Sequence, residues 1–278
     1  MNRRKFLKVS GAAAIGSAAA LSSGLHAKQK KSKLPAIGLQ LYSLRGLMKE
    51  DFSGTLEKVA KIGYTELEFA GYFDNDPKDV KALLGKLGMS APATHVSIDR
   101  LRNNLPKEIE DAKTVGHQYI VCPWLAQELR TEDGYKALAE SLNKAGEACK
   151  KAGIQLAYHN HEFEFEKVGE MIPYDYLLAQ TDADLVKMEL DFYWINVAKS
   201  DPLAYFKKHA GRFPLCHVKD MGEDGKMVDV GKGTIDFANY FSHSEQAGMK
   251  HYFVEHDNPE DPIATITDSY QHLNQMKF

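Results

Sequence analysis

From residue 35 onward the chain alternates between two hydrophobic patterns. Short apolar runs with polar residues at every second position read as strands. They are Ile37–Leu41, Glu66–Phe69, Ala93–Ser97, Tyr119–Val121, Gln155–His159, Val186–Leu190, Leu215–Val218 and Tyr252–Glu255. Between them lie stretches with apolar residues at three- and four-residue spacing, as expected for amphipathic helices. Examples are Phe52–Ile62, Pro77–Leu87, Glu132–Ala152, Pro202–His209 and Phe237–Ala247. Asp201 before Pro202 fits an N-cap followed by the first helical residue. Gly63, Gly88, Gly153, Gly211 and Gly248 fall just past helix ends, where a left-handed cap is expected. Eight strands separated by helices predict an α/β fold, a single (β/α)8 TIM barrel. A doubly wound open sheet is the alternative. The count of eight favours closure. So do polar residues at the end of nearly every strand, since an open sheet would gather them at a switch point.

The alternation also says what the barrel encloses. In Gly38-Leu39-Gln40-Leu41-Tyr42 the leucines share one face, Gln40 and Tyr42 the other; in Thr65-Glu66-Leu67-Glu68-Phe69 two glutamates alternate with apolar residues. His217 and Lys219 share a face, as do Glu255 and Asp257. If the apolar faces meet the helices, the polar faces point inward. Buried charges are costly unless paired or bound to a metal, so this ring implies a ligand, a metal or dense mutual pairing.

The chain has 278 residues. Its first part is read apart from the fold. Asn2-Arg3-Arg4-Lys5-Phe6-Leu7-Lys8 is a twin-arginine pattern, followed by an Ala/Gly-rich run and a small-residue cleavage site at Leu25-His26-Ala27. We read residues 1–27 as a twin-arginine signal peptide, 28–34 as a linker and 35–278 as the barrel. Export through the Tat machinery to the periplasm, or otherwise out of the cytoplasm, follows from that reading. No segment has the length for a stable membrane span once the leader is removed. A net charge of -3 argues against nucleic acid as a partner, which needs a concentrated basic surface. Three widely spaced cysteines, Cys122, Cys149 and Cys216, do not form a disulfide framework.

The chemistry concentrates late in the chain. In Tyr158-His159-Asn160-His161-Glu162-Phe163-Glu164-Phe165 two histidines lie two residues apart at a strand end. Glu189-Leu190-Asp191, Cys216-His217-Val218-Lys219-Asp220 and Phe253-Val254-Glu255-His256-Asp257 end later strands in the same way. Imidazoles and carboxylates from several strand ends are what a divalent-metal site on a barrel requires.

With Gly38-Leu39-Gln40-Leu41-Tyr42-Ser43-Leu44-Arg45 and Glu189-Leu190-Asp191-Phe192-Tyr193-Trp194, these runs resemble the xylose isomerase-like TIM barrel superfamily, in particular its sugar phosphate isomerase/epimerase group. The resemblance covers Pro35 to the C-terminus. It implies one divalent ion held by Glu, Asp, His and Glu from strands five to eight. The last three match Asp191, His217 and Glu255; the first reads here as His159. The added imidazole tilts the metal towards manganese, zinc, cobalt or iron over magnesium. The implied reaction is isomerisation or epimerisation of a small-molecule sugar or keto-sugar, by proton abstraction next to a carbonyl and an enediolate intermediate. A leaving group β to that carbonyl would turn the same chemistry into elimination, as in lyases or hydrolases of 3-keto glycosides. The roles expected are metal ligation by His159, Asp191, His217 and Glu255. Glu255, His161, Glu164 and Lys219 are expected in proton transfer or oxyanion stabilisation. Gln40, Glu68, His95, Trp124 and Trp194 are expected to contact substrate.

Two other functions compete. A non-catalytic periplasmic carbohydrate-binding barrel would keep the pocket without the chemistry. An endonuclease IV-like hydrolase fits badly with the acidic charge and the small ligand set. Glu66 and Glu189 lie deeper on the inward face and read as a buried pairing network. Gly231-Lys232-Gly233-Thr234 resembles part of a phosphate loop, but a turn after strand seven explains it more simply. Oligomeric state is not encoded in any of these patterns.

Overall fold

The computed structural model describes residues 33–278; the predicted leader and most of the linker lie outside the described residues. Eight parallel strands close into a barrel: β1 (Gly38–Gln40), β2 (Glu66–Phe69), β3 (Ser90–His95), β4 (Tyr119–Cys122), β5 (Gln155–His159), β6 (Val186–Asp191), β7 (Leu215–Val218) and the last strand, His251–Val254. That last strand is β10, because a small antiparallel hairpin, β8 (Asp220–Met221) with β9 (Met227–Val228), intervenes. The strand order β1-β10-β7-β6-β5-β4-β3-β2 joins each strand to its sequence neighbours and β1 to β10, which excludes the open-sheet alternative.

Alternation sorts the strand residues as the sequence predicts. Leu39, Leu67, Phe69, Ile120, Leu156, Tyr158, Leu190, Cys216, Val218 and Val254 join the large core between barrel and helices. Ala93, Tyr119, Val121, Ala157, Leu215 and Phe253 form a separate small cluster. These are the intervening positions, which point into the barrel and fill it below the polar residues. Gly38 belongs to this inner face, where a Cβ would lie 2.5 Å from the Phe253 ring. Cys122, Cys149 and Cys216 are all buried as free thiols and pack as small apolar groups.

Helix limits follow their punctuation. Asp76, Asp201 and Asp261 cap helices that begin at Pro77, Pro202 and Pro262, each carboxylate accepting a backbone N–H of the first turn. Two expectations shift. Strand β3 starts three residues earlier than predicted, at Ser90, and carries Pro92 within it. Its pairing with β2 slips between Glu66 and Glu68, and this bulge accommodates the proline that would otherwise break a ladder. The predicted helix Phe237–Ala247 is two, Phe237–Ser242 and Ser244–Ala247, separated at His243.

The glycine-rich segment after β9 is a turn. Asp220, almost fully buried, accepts hydrogen bonds from the backbone N–H groups of Met221, Gly231, Gly233 and Ile235 at 2.8–3.2 Å. The amide groups a phosphate would need at Gly231 and Gly233 are already committed to the chain's own carboxylate.

Candidate metal centre

At the carboxyl end of the barrel His159, Asp191, His217 and Glu255 converge, every one buried, each with a ligand atom within 4.8 Å of the others. Local structure aims each donor. Asp191 ends β6 and caps the next helix: its Oδ1 accepts from Trp194 N at 2.9 Å, while Asn160 Oδ1 accepts from Asp191 N at 3.1 Å. That leaves Oδ2 for the centre. His159 ends β5; its Nδ1 lies 3.1 Å from the Pro123 carbonyl, to which it donates, and Nε2 lies 3.2 Å from Asp191 Oδ2. His217, on β7, donates Nε2–H to Glu68 Oε2 at 2.6 Å. Its Nδ1 lies 2.9 Å from Glu255 Oε2 and 3.7 Å from Asp191 Oδ2.

That Nδ1 is buried and makes no directed hydrogen bond. Two acceptors 2.9 Å apart repel unless a proton or a cation lies between them. The donor set, two imidazoles and two carboxylates, suits a divalent ion of borderline softness. Each imidazole has its other nitrogen tied to an oxygen, which fixes the tautomer a ligand needs.

Charge counting points the same way. Lys219 is buried. Its Nζ lies 2.6 Å from Glu255 Oε2, 3.1 Å from Asp191 Oδ2 and 2.9 Å from Asp257 Oδ1. One ammonium faces three carboxylates, an excess of negative charge that favours a cation. Burial disfavours the ammonium, yet these three carboxylates outweigh it and hold Lys219 well above the ordinary lysine range. Conversely, burial favours a neutral Glu255, but Lys219 and then His217 pull its carboxyl well below the usual range; Asp191 behaves likewise. Burial opposes the His217 imidazolium, and Glu189, Glu255 and Glu68 overcome it, so without a metal His217 is the protonated bridge.

Beneath the four lies a supporting layer. Glu68 Oε2 also accepts from Gln40 Nε2 at 2.8 Å, and Glu189 Oε2 lies 3.2 Å from His217 Nε2 and 3.0 Å from His95 Nε2. Burial would lower the pKa of His95; Glu68 and Glu189 reverse this and raise it to about 9. Deeper still, Glu66 Oε2 pairs with His251 Nδ1 at 2.8 Å.

A cavity of about 540 Å³ opens above the centre. Of the predicted residues, His95, Trp124, His159, His161, Lys219 and Glu255 line it. Asp191 and His217 lie beneath it, and Gln40, Glu68, Glu164 and Trp194 do not line it either. Gln40 and Glu68 are fully buried in the layer below, spent on each other and on His217. Glu164 is turned under its own loop: Oε1 accepts from Tyr158 Oη at 2.6 Å and Oε2 from His161 N at 2.8 Å. Burial, only partly offset by those bonds, raises its pKa to about 8. Trp194 packs 5.5 Å from His161 between ring centroids, with Lys219 Nζ 5.9 Å from its own. His161 is neutral: burial first, then His159 and Lys219, lower its pKa to about 2. Tyr42, Ser97, Arg100, Asp257 and Asn258 line the cavity without having been predicted as site residues. Asp257 carried a signal, since it shares the face of Glu255 one alternation further on.

Comparison with known proteins agrees with the fold. Residues 56–276 match the family described as xylose isomerase-like TIM barrel. Inosose dehydratase of Geobacillus kaustophilus (strain HTA426) is 25% identical over 230 residues, 67% of this chain and 73% of that one. The crystal structure of a sugar phosphate isomerase/epimerase from Parabacteroides distasonis ATCC 8503 superposes with a TM-score of 0.76 at 27% identity, covering 91% of this chain and 97% of the other. The zinc-bound structure of the IOLI protein shares the fold, with a TM-score of 0.69 at 17% identity over 86% of this chain and 97% of that one. The chain belongs to the xylose isomerase-like TIM barrel family.

Proposed function

We propose that the protein is a divalent-metal-dependent sugar isomerase or epimerase that removes a proton next to a carbonyl. The observation that carries this reading is the convergence of His159, Asp191, His217 and Glu255 at the base of a sugar-sized cavity. These four residues would hold a divalent cation, which would supply a Lewis acid to polarise a carbonyl and acidify its neighbouring C–H. Glu255 is the ionised carboxylate that lines the cavity, and it takes the proton. Lys219, kept as an ammonium, sets a positive charge beside the oxygen on which negative charge grows. Its bonds to Asp191, Glu255 and Asp257 hold that ammonium in place before the reaction begins. His161, neutral, lines the cavity and presents its ring to the substrate. Return of the proton to the neighbouring carbon isomerises; return to the opposite face epimerises.

The likeness to an inosose dehydratase favours a second outcome from the same first step. The C–H electron pair then forms a C=C bond while a hydroxyl or glycosidic oxygen β to the carbonyl leaves with its C–O electron pair, taking a proton as it departs. Incubation with ketoses, inososes and 3-keto glycosides in D2O, with Mn²⁺ or Zn²⁺ added, separates these outcomes. Deuterium in recovered sugar marks isomerisation or epimerisation, and loss of water or aglycone marks elimination. Metal binding without either, across that panel, refutes catalysis and leaves a binding barrel. The same reading takes the substrate outside the cytoplasm, by way of the leader at 1–27. Replacing Arg3 and Arg4 with lysine would then leave the unprocessed chain in the cytoplasm, seen by cell fractionation.

A further inference from the structure

A second cavity of about 540 Å³ lies at the opposite end of the barrel from the metal centre. Its walls come from the strand starts: Tyr119 opens β4, Gln155 opens β5, and Lys187 is the second residue of β6. Lys250, just before the last strand, and Lys150, in the final turn of the helix Glu132–Lys151, also line it. Along β6 the inward positions are Lys187, Glu189 and Asp191, because Val186, Met188 and Leu190 face the outer core. Four residues of strand set Lys187 about 13 Å below Asp191.

The sign of the charge sets this cavity apart. Three lysines line it, and among the described residues no aspartate or glutamate does. The whole chain, by contrast, carries a net charge of -3. Lys187 Nζ donates to a backbone carbonyl, Gly211 O, at 3.3 Å. Burial first, then Arg212 and Lys250, lower its pKa from the ordinary lysine value, and Asp184 and Asp182 oppose this only in part. The frame around the lysines is tied by its own backbone. Gln155 N donates to Gln118 O at 2.9 Å, and Lys250 N donates to Pro214 O at 2.8 Å. Like charges gathered on a fixed frame repel one another, and an anion placed among them turns that repulsion into attraction.

We propose that this amino-end cavity binds a phosphate group, free or carried by a small molecule. An ammonium is a compact point charge that suits a doubly charged tetrahedral anion, whereas a planar carboxylate is met best by an arginine fork. Arg212, next to the lining Gly211, does not line the cavity. It is buried, and its guanidinium donates to Leu178 O at 3.2 Å and Thr181 Oγ1 at 3.0 Å. Tyr119 and Gln118, which carry further O–H and N–H donors, line the same cavity. The two cavities share no lining residue. The phosphate is therefore an effector or a separate ligand and not the reacting group, and the proposal stands whether or not the sugar chemistry does.

The test is titration calorimetry in about 0.1 M NaCl, where long-range attraction is screened, with inorganic phosphate and phenyl phosphate as probes, with and without Mn²⁺. One phosphate per chain should bind with a Kd below about 1 mM, equally in both metal conditions. Lys187→Met and Lys250→Gln should each weaken it by about tenfold, the loss of one charged hydrogen bond, while Lys187→Arg retains binding. Lys250 is exposed, so Lys250→Gln carries the test even if Lys187→Met does not fold. Tighter binding of inorganic phosphate identifies the free ion as the ligand, and tighter binding of phenyl phosphate identifies an ester; either supports the site. Absence of saturation below about 10 mM overturns the proposal. So does binding that requires Mn²⁺, which would place the anion at the other end of the barrel, or binding left unchanged by Lys250→Gln.

Discussion

Replacing Glu68 with glutamine keeps the side chain's shape and removes one charge from beneath the metal centre. Glu68 is fully buried, does not line the cavity, and accepts the Nε2–H of His217 at 2.6 Å. Through that bond it sets the tautomer of His217 and raises the basicity of Nδ1, the nitrogen that faces Glu255 and Asp191. Changes of this kind behind a ligating histidine weaken metal binding by about 10–100-fold. The consequence for stability can be worked out. With metal at about 100 times the wild-type Kd, binding stabilises the wild type by about 2.7 kcal/mol, and the same concentration stabilises the variant by about 0.4–1.4 kcal/mol. For a chain of this size, where 1 kcal/mol moves Tm by about 2–4 °C, the wild type gains about 5–11 °C and the variant about 1–6 °C. The assay is a chelator-competition titration with Mn²⁺ or Zn²⁺, joined to thermal melts with and without metal. A purely structural role for Glu68 would lower Tm in both conditions and leave affinity alone. Glu68→Gln that folds and binds metal within twofold of wild type would refute the assignment of His217 as a ligand oriented from below.

Lys219→Met should lower kcat by about 10²–10³-fold, the loss typical of one oxyanion donor, while metal affinity holds or tightens because Asp191 and Glu255 lose a competing cation; loss of metal with loss of activity would contradict it. In the same variant, a chelator should depress Tm more than in the wild type, since two buried carboxylates are then unbalanced. Gly233→Ala would bring a Cβ to 2.2 Å from Asp220 Oδ1, and should destabilise by about 1–3 kcal/mol, opening the 220–235 loop to limited proteolysis; an unchanged melt would show that Asp220 is not confined by its four backbone donors. His117 gives a pH signature far from the centre. Its Nδ1 donates to Ala91 O at 2.6 Å and its Nε2 accepts from Tyr72 Oη at 3.1 Å, the pattern of a neutral ring. Burial, only partly offset by the Ala91 bond, lowers its pKa to about 4 from 6.5. A depressed folded-state value means that its stability contribution is complete above pH 6.5 and is lost as pH falls towards 4. From pH 7 to pH 5 urea melts should show about 2 kcal/mol of destabilisation from this group, and His117→Phe should flatten that slope.

Much of the fold was legible because each barrel strand carries two signals at once. Leu67 and Phe69 mark the face under the helices, Glu66 and Glu68 the face that looks inward, and the turn residues at both ends bound the run. The signal failed at β3, where Pro92 argued locally against a strand. Whether a proline is tolerated depends on the neighbouring strand, and only the slip against Glu66 and Glu68 makes room for it. The split at His243 was equally hidden, since Phe237–Ala247 has one continuous apolar periodicity and the break lies in backbone geometry at His243 (φ −104°, ψ 11°).

In the site, the period-two pattern names a face but not a height. Successive inward positions of one strand differ by about 7 Å along it, which separates a floor from a foundation. Glu189 and Asp191 share β6 and a face, yet Asp191 joins His159, His217 and Glu255, while Glu189 joins the lower group of Glu68, His95 and His217. Gln40 and Glu68 look in sequence like substrate contacts, and the barrel's stagger puts them one layer too low. Glu164 was misleading for another reason: a short helical turn after His161 redirects the chain, so alternation no longer applies. What joins the layers is the single residue able to face both. His217 reaches down with Nε2 to Glu68 and up with Nδ1 to Glu255. A metal bound above would therefore displace a proton from a ring whose lower half is already anchored to carboxylates. Metal affinity should weaken steeply on acidification, because proton and cation compete for one nitrogen. The slope should be shallower in Glu68→Gln, where His217 binds that proton less tightly. Equal slopes in wild type and variant would mean that the two layers are not coupled through His217.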